Sequence, residues 1–117
     1  MGKVTNNFPK KTYFCLINLY AMKITIVSGA RPNFMKIAPI TRAIKAAQEA
    51  GKKISYRLIY TGRQDDTSLD ASLFSDLDMK RPDGYLGVTG HDHSEVAAAI
   101  MLAFEKELNN HPAQVVL

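Results

Sequence analysis

Residues 22–36, Met22-Lys23-Ile24-Thr25-Ile26-Val27-Ser28-Gly29-Ala30-Arg31-Pro32-Asn33-Phe34-Met35-Lys36, decide how the rest of the chain is read. Ile24 to Val27 is a short β-branched run that Ser28-Gly29 brings to a stop, the pattern of a strand. Beyond it Ile37, Ile40, Ile44 and Ala47 recur at helical spacing, with Arg42, Lys45, Gln48 and Glu49 off that stripe. Gly51 stands where such a helix should end. A strand that passes through a glycine turn directly into a helix opens a β-α-β unit.

Working outward, the same alternation repeats. Ile54 to Tyr60 reads as a second strand, leaving through Thr61-Gly62. Leu69, Leu73, Phe74 and Leu77 define a second amphipathic helix, with Asp65-Asp66-Thr67 ahead of it as caps. A turn-rich stretch follows from Lys80 to Gly90, containing Pro82, Gly84, Gly87 and Gly90. Val96, Ile100, Phe104 and Leu108 then recur every four residues, and Asp92 with Glu95 marks that helix's start. After Asn109-Asn110-His111-Pro112, residues 114–117 read as a third strand. This order predicts an α/β parallel sheet with helical crossovers. Three strands are about half the complement of a doubly wound domain.

Composition narrows the function classes. The chain has 117 residues, 46% hydrophobic and 22% charged, the balance of a globular domain. No stretch approaches the roughly 18 uninterrupted apolar residues of a membrane span. The single cysteine, Cys15, closes no internal disulfide, and a reducing cytoplasm is the expected compartment. The formal charge of +4 is uneven: residues 1–21 carry Lys3, Lys10 and Lys11 and no acid, whereas residues 22–117 hold 12 basic against 11 acidic residues. A nucleic-acid binder concentrates positive charge on its folded body, so DNA and RNA are discounted. The first 21 residues, basic and then apolar from Tyr13 to Tyr20, follow the order of a signal peptide. The apolar run is short, lacks a small-x-small cleavage site and leads straight into the first strand. The expectation is therefore a poorly ordered leader over 1–21, with Met22 as the natural start, and a folded body over 22–117.

Ligands of open parallel sheets bind beyond the carboxyl ends of the strands, which directs attention to the loop after the first strand. Gly29 permits a tight turn and close backbone approach. Pro32 suits a first helical turn, where its missing N–H costs nothing. The helix start offers amides and a positive dipole end to an anion. Arg31 adds a planar guanidinium and Lys36 a second cation about one turn in. The set suits a diphosphate, although neither GxxxxGK[ST] nor GxGxxG is present. On residue chemistry alone, an Arg beside a strand-to-helix turn is more often a surface or carboxylate-pairing residue.

The run Gly29-Ala30-Arg31-Pro32-x-x-x-Lys36-x-Ala38-Pro39 resembles the opening motif of bacterial non-hydrolysing UDP-N-acetylglucosamine 2-epimerases. The likeness continues through Tyr60-Thr61-Gly62, Phe74-x-x-Leu77, Pro82-Asp83-x-x-Leu86 and Pro112-x-x-Val115-Val116-Leu117, covering residues 22–117 in order. It implies a three-layer, Rossmann-like sheet, the first part of the N-terminal domain of a two-domain fold of the glycosyltransferase B (GT-B) type. It also implies a homodimeric enzyme that interconverts UDP-GlcNAc and UDP-ManNAc by eliminating and re-adding UDP, without NAD or an essential metal. Such enzymes supply sugars for cell-envelope polysaccharides. Arg31 and Lys36 match the cationic residues of the motif, with Arg31 on the UDP phosphates, Lys36 in electrostatic support and Gly29 beside them. The family's acid–base residues follow the last strand, so no catalytic acid or base is expected within these 117 residues, and the chain alone is expected to be inactive. Pro39 implies a bend near the start of the first helix.

The match has departures. Asn33-Phe34-Met35 replaces the common Glu-Ala-Ile, and Arg63-Gln64 stands where many members carry Gln-His, a pair that in some of them binds a second, regulatory UDP-GlcNAc. Hydrolysing relatives share the architecture, so the outcome at the sugar stays open. Pro32, Gln64, His91 and His93 are further candidates for nucleotide-sugar contact. His91-Asp92-His93 has the residue types of a metal site but no partner cluster, and a polar helix start explains it better. Asp65 and Asp66 read as helix-cap groups rather than paired catalytic carboxylates. Two other classes are alternatives: a non-catalytic, self-associating half-sheet module, and an unrelated flavodoxin-like nucleotide binder.

Overall fold

The computed structural model describes residues 21–117; the expectations for the leader and Cys15 lie outside the described residues. Strand β1 (Met22–Ser28) is followed by helix α1 (Arg31–Glu49), strand β2 (Ile54–Tyr60) and helix α2 (Ala71–Asp76). Strand β3 (Gly84–Tyr85), helix α3 (His93–Asn110) and strand β4 (Val115–Val116) complete the order. The four strands form one parallel sheet in the order β3-β2-β1-β4. The chain moves outward from β1 through β2 to β3, then crosses back to add β4 on the other side of β1. That reversal places a topological switch point between β1 and β4, at the carboxyl end of the strand read first.

The β1–β2 pairing is the backbone of the sheet, in continuous register from Met22 opposite Ile54 to Ser28 opposite Tyr60. Side chains alternate across the two faces. Ile24 and Ile26 of β1 and Leu58 and Tyr60 of β2 share one buried cluster with Phe34, Ile37, Ala38 and Ile44 of α1 and with Leu69, Leu73 and Phe74 around α2. Arg57 and Ile59 face the opposite way, and the Arg57 guanidinium meets Glu107 of α3 at 2.8–2.9 Å. The sheet thus lies between α1 and α2 on one side and α3 on the other. This is a three-layer, Rossmann-like α/β fold with helical crossovers.

Several details differ from the sequence expectation. A fourth strand, β3, lies within the glycine-rich stretch; its two residues are too few to show an alternating pattern. Asp83 supports it by giving its N–H to the Leu58 carbonyl and accepting the Leu58 N–H on its carboxylate. Helix α2 is capped by Asp70, which accepts from Leu73 N–H, and not by Asp65-Asp66-Thr67. The buried face of α1 is Phe34, Ile37, Ala38, Thr41 and Ile44, whereas Ile40 is 39% exposed. The true stripe starts three residues earlier than the periodic isoleucines suggest. Thr41 enters it because its hydroxyl donates to the Ala38 carbonyl at 2.9 Å, which removes the cost of burying it. Helix α3 is capped as expected, with Asp92 accepting from Ser94 N–H and Glu95 N–H.

Phe34 is wholly buried, edge-on to Phe74 at 5.2 Å and tilted against Tyr60 at 6.0 Å between ring centroids. Phe34→Ala should cost about 3–5 kcal/mol in urea unfolding, while Ile40→Ala should cost less than about 1 kcal/mol. Equal losses would show that α1 packs on the other stripe.

Candidate functional site

Three loops meet beyond the carboxyl ends of β1 and β2. The β1–α1 turn carries Gly29 and Ala30, the segment after β2 runs from Thr61 to Asp70, and the segment after β3 from Leu86 to Asp92. Backbone hydrogen bonds from Leu86, Gly87 and Val88 to Tyr60, Gly62 and Thr61 fasten the third loop to the second. Together they enclose an open cleft of about 400 Å³. Its polar side is formed by Thr61, Arg63, Asp65, Asp66 and Thr89, its apolar side by Val88, Val96 and Ile100, and Gly29 reaches its edge.

The β1–α1 turn is organised by Asn33. Helix α1 begins after Ala30, whose side chain cannot cap. Asn33 Oδ1 instead accepts from Gly29 N–H at 3.1 Å and Ala30 N–H at 2.9 Å. Two amides of the turn that leads into the helix are thereby engaged within the chain. The signal was present in the sequence: a helix starting after alanine needs another acceptor within its first turn. Gly29 itself is not in the left-handed region, and a Cβ there would meet Thr61 Oγ1 at 3.6 Å, an ordinary contact.

Arg31 is the first residue of α1. Its Nη1 donates to the Ser68 carbonyl at 3.1 Å and lies 4.0 Å from the Asp70 carboxylate, and nearly half of the side chain stays open to solvent. Asp66 fixes the loop carrying Ser68: one oxygen accepts from Ser68 N–H at 2.9 Å, the other from the Tyr60 hydroxyl at 2.6 Å. Arg63 forks onto Asp65 with two bonds of 2.8–2.9 Å at the cleft surface.

The other expected residues are less closely gathered. Pro32 sits in the first turn of α1, exposed. Lys36 is exposed, and the helical pitch puts it roughly 140° around the axis from Arg31, so the two cations do not share a face. Gln64 is exposed beside a shallow concavity with Arg63, Asp65 and Gly87. His91 and His93 flank the capping residue Asp92, both exposed. Residues that sequence reading did not assign to the site are Arg63, Thr89 and the apolar wall from α3. They are brought there by the β2–β3 loop pairing, which no local pattern announces.

The class defined by this geometry is a parallel α/β fold with its cleft at the strand carboxyl ends. No family model matches the chain. The chain is similar to the UDP-N-acetylglucosamine 2-epimerase of Methanocaldococcus jannaschii, 27% identical over 96 residues, which is 82% of this chain and 25% of that protein. The UDP-2,3-diacetamido-2,3-dideoxy-D-glucuronate 2-epimerase of Pseudomonas aeruginosa is 29% identical over 84 residues, 72% of this chain and 23% of that protein. The crystal structure of the M. jannaschii enzyme in complex with UDP-GlcNAc and UDP matches with a TM-score of 0.66 over 81% of this chain and 25% of that one. A further UDP-N-acetylglucosamine 2-epimerase structure, at 20% identity and a TM-score of 0.69 over 83% of this chain and 26% of that one, shares the fold. The chain therefore spans about a quarter of the length of the relatives it matches.

Tyr60 and Asp66 are among the groups in these loops with displaced acidities. Burial, followed by hydrogen bonding to Asp66, pushes the Tyr60 hydroxyl above its ordinary 10.0. The hydrogen bonds from Tyr60 and Ser68 hold Asp66 below its ordinary 3.8. A carboxylate lowered on folding stabilises fully above 3.8, and the contribution is lost as pH falls through the lowered value. A phenol raised on folding stabilises fully below 10.0, and the contribution is lost as pH rises through the raised value. Thermal melts across pH should therefore show a Tyr60→Phe chain losing less stability at the alkaline end, and an Asp66→Asn chain losing less at the acid end. Unchanged limbs in both variants would show that the pair does not govern either end.

Proposed function

We propose that these residues form the N-terminal, diphosphate-facing part of a nucleotide-sugar 2-epimerase acting on UDP-GlcNAc. The observation that carries the reading is the position of Arg31. It begins the helix that leaves β1, with its guanidinium held at Ser68 of the segment after β2, in a chain that aligns with 2-epimerases along most of its length. On this reading Arg31 binds the UDP phosphates and neutralises charge as UDP departs. Lys36 adds long-range attraction from the outer side of α1, and Gly29 lets the diphosphate approach the backbone. Pro32, Gln64, His91 and His93 contact the nucleotide sugar from the rim.

The chemistry is elimination of UDP followed by its re-addition with inversion at the sugar's C2, needing neither NAD nor metal. The acid–base groups for these steps are not assigned to any of the 117 residues, so the chain by itself binds without turning over. Within the cell the reading places it in the bacterial cytoplasm, in a homodimeric enzyme supplying envelope polysaccharides. Release of the sugar to water in place of re-addition is the alternative outcome at the same site.

A second reading, a self-associating module, draws on the apolar surface of α3 and β4. Met101 and Leu102 are 72% and 64% exposed, and Val115, Val116 and Leu117 are exposed on the sheet's edge. A specific dimer by sedimentation, with no response to UDP, would favour it.

The direct test is a proton NMR titration of the chain with UDP-GlcNAc. Broadening of the UDP resonances without UDP-ManNAc or free ManNAc is expected, with affinity falling about tenfold or more in Arg31→Ala. Turnover by the chain alone would overturn the assignment of acid–base chemistry elsewhere. Absence of broadening in the parent chain would overturn the half-site itself.

A further inference from the structure

Arg31 does not hold its position alone. Its Nη1 rests on the carbonyl of Ser68, and Ser68 belongs to the loop between β2 and α2. Asp66 accepts the Ser68 N–H and also the Tyr60 hydroxyl, so the carboxylate joins that loop to the end of β2. The Tyr60 ring packs on Phe34, one turn into the helix that Arg31 begins. The contacts therefore close a circuit: Arg31, Ser68, Asp66, Tyr60, Phe34 and back along α1. Asp70 caps α2 and Phe34 fills the core, and the circuit in addition closes around one half-exposed guanidinium.

We infer that Asp66 is a positioning residue for the proposed diphosphate site, acting through the Ser68 carbonyl to aim the Arg31 guanidinium. The inference rests on the UDP reading given above. Asp66 borders the cleft, but its two oxygens are engaged by the Tyr60 hydroxyl and the Ser68 N–H; it orders the loop whose carbonyl fixes one guanidinium nitrogen, leaving the other donors to face a phosphate. A fixed fork forms its bonds with less loss of freedom than a mobile one. The Tyr60 hydroxyl serves the same end by holding Asp66 from the opposite side.

The test is a double-substitution cycle on the 117-residue chain with UDP as the probe, read by calorimetry or NMR. Asp66→Asn keeps the shape but weakens the acceptor, and UDP affinity should fall about three- to tenfold. Tyr60→Phe, which keeps the ring in the core, should give a loss in the same direction. In an Arg31→Lys background, where the fork is gone, Asp66→Asn should have little further effect. A merely structural role would weaken binding equally in both backgrounds, and that additive result would overturn the inference while leaving UDP binding intact. So would an unchanged affinity in both Asp66→Asn and Tyr60→Phe. Failure of the parent chain to bind UDP would overturn the functional reading and this inference together.

Discussion

The packing of Phe34 against Tyr60 is the constraint from which both the core and the site follow. Phe34 enters the sheet from the first turn of α1, and Tyr60 ends β2, opposite Ser28 in register. The two rings therefore lock the start of the helix to the exits of both central strands. Gly62 must be small for this to hold: a Cβ there would fall 2.6 Å from the Tyr60 ring. With the ring fixed, its hydroxyl has one direction to point, toward Asp66. The loop after β2 is thus shaped by a core contact rather than by its own sequence.

The opposite face of the sheet is held differently. Helix α3 buries no side chain completely; Val96, Ile100, Phe104 and Leu108 are each half-covered. Its firmest tie is the partly buried ion pair of Arg57 with Glu107, made close to Gly84 of β3. A charged pair fixes geometry better than it stabilises, because both groups give up water to meet. The α3 layer therefore combines a specified position with a modest apolar contribution. The same helix supplies Val96 and Ile100 to the cleft, so the apolar wall of the candidate site belongs to the less firmly packed layer.

Much of this was legible in the sequence because periodicity reports burial. The β1 and β2 runs, the α3 stripe and the Asp92 cap were readable because each is a local pattern with a local cause. What escaped was set by long-range contact. Ile40 fits the helical repeat of α1 but lies on the wrong side of Phe34, and only the sheet decides which side is inward. Strand β3 is two residues held by pairing with β2 and by Asp83, with no hydrophobic alternation to reveal it. Of the loops around the cleft, the β1–α1 turn is evident from its glycine, whereas Arg63, Thr89 and the α3 wall depend on how three loops meet. The cap of α2 falls at Asp70, several residues beyond the Asp65-Asp66-Thr67 pattern, because Asp66, a plausible cap in isolation, is drawn to Tyr60 instead.

The role of Asn33 bears on how an anion would be held. In an open strand-to-helix turn the first amides carry much of the attraction for phosphate. Here Gly29 and Ala30 give theirs to Asn33 Oδ1. A diphosphate at this turn must displace that side chain or depend on Arg31 and Lys36. Displacement exposes two N–H groups that a phosphate oxygen satisfies better than an amide oxygen, since the acceptor then carries charge. Dependence on exposed cations alone gives an attraction that salt weakens steeply. Asn33 thus makes the turn stable without a ligand while leaving its donors recoverable by one. The local competition between a neutral amide and a charged oxygen decides how much of the binding comes from the helix start and how much from side-chain charge.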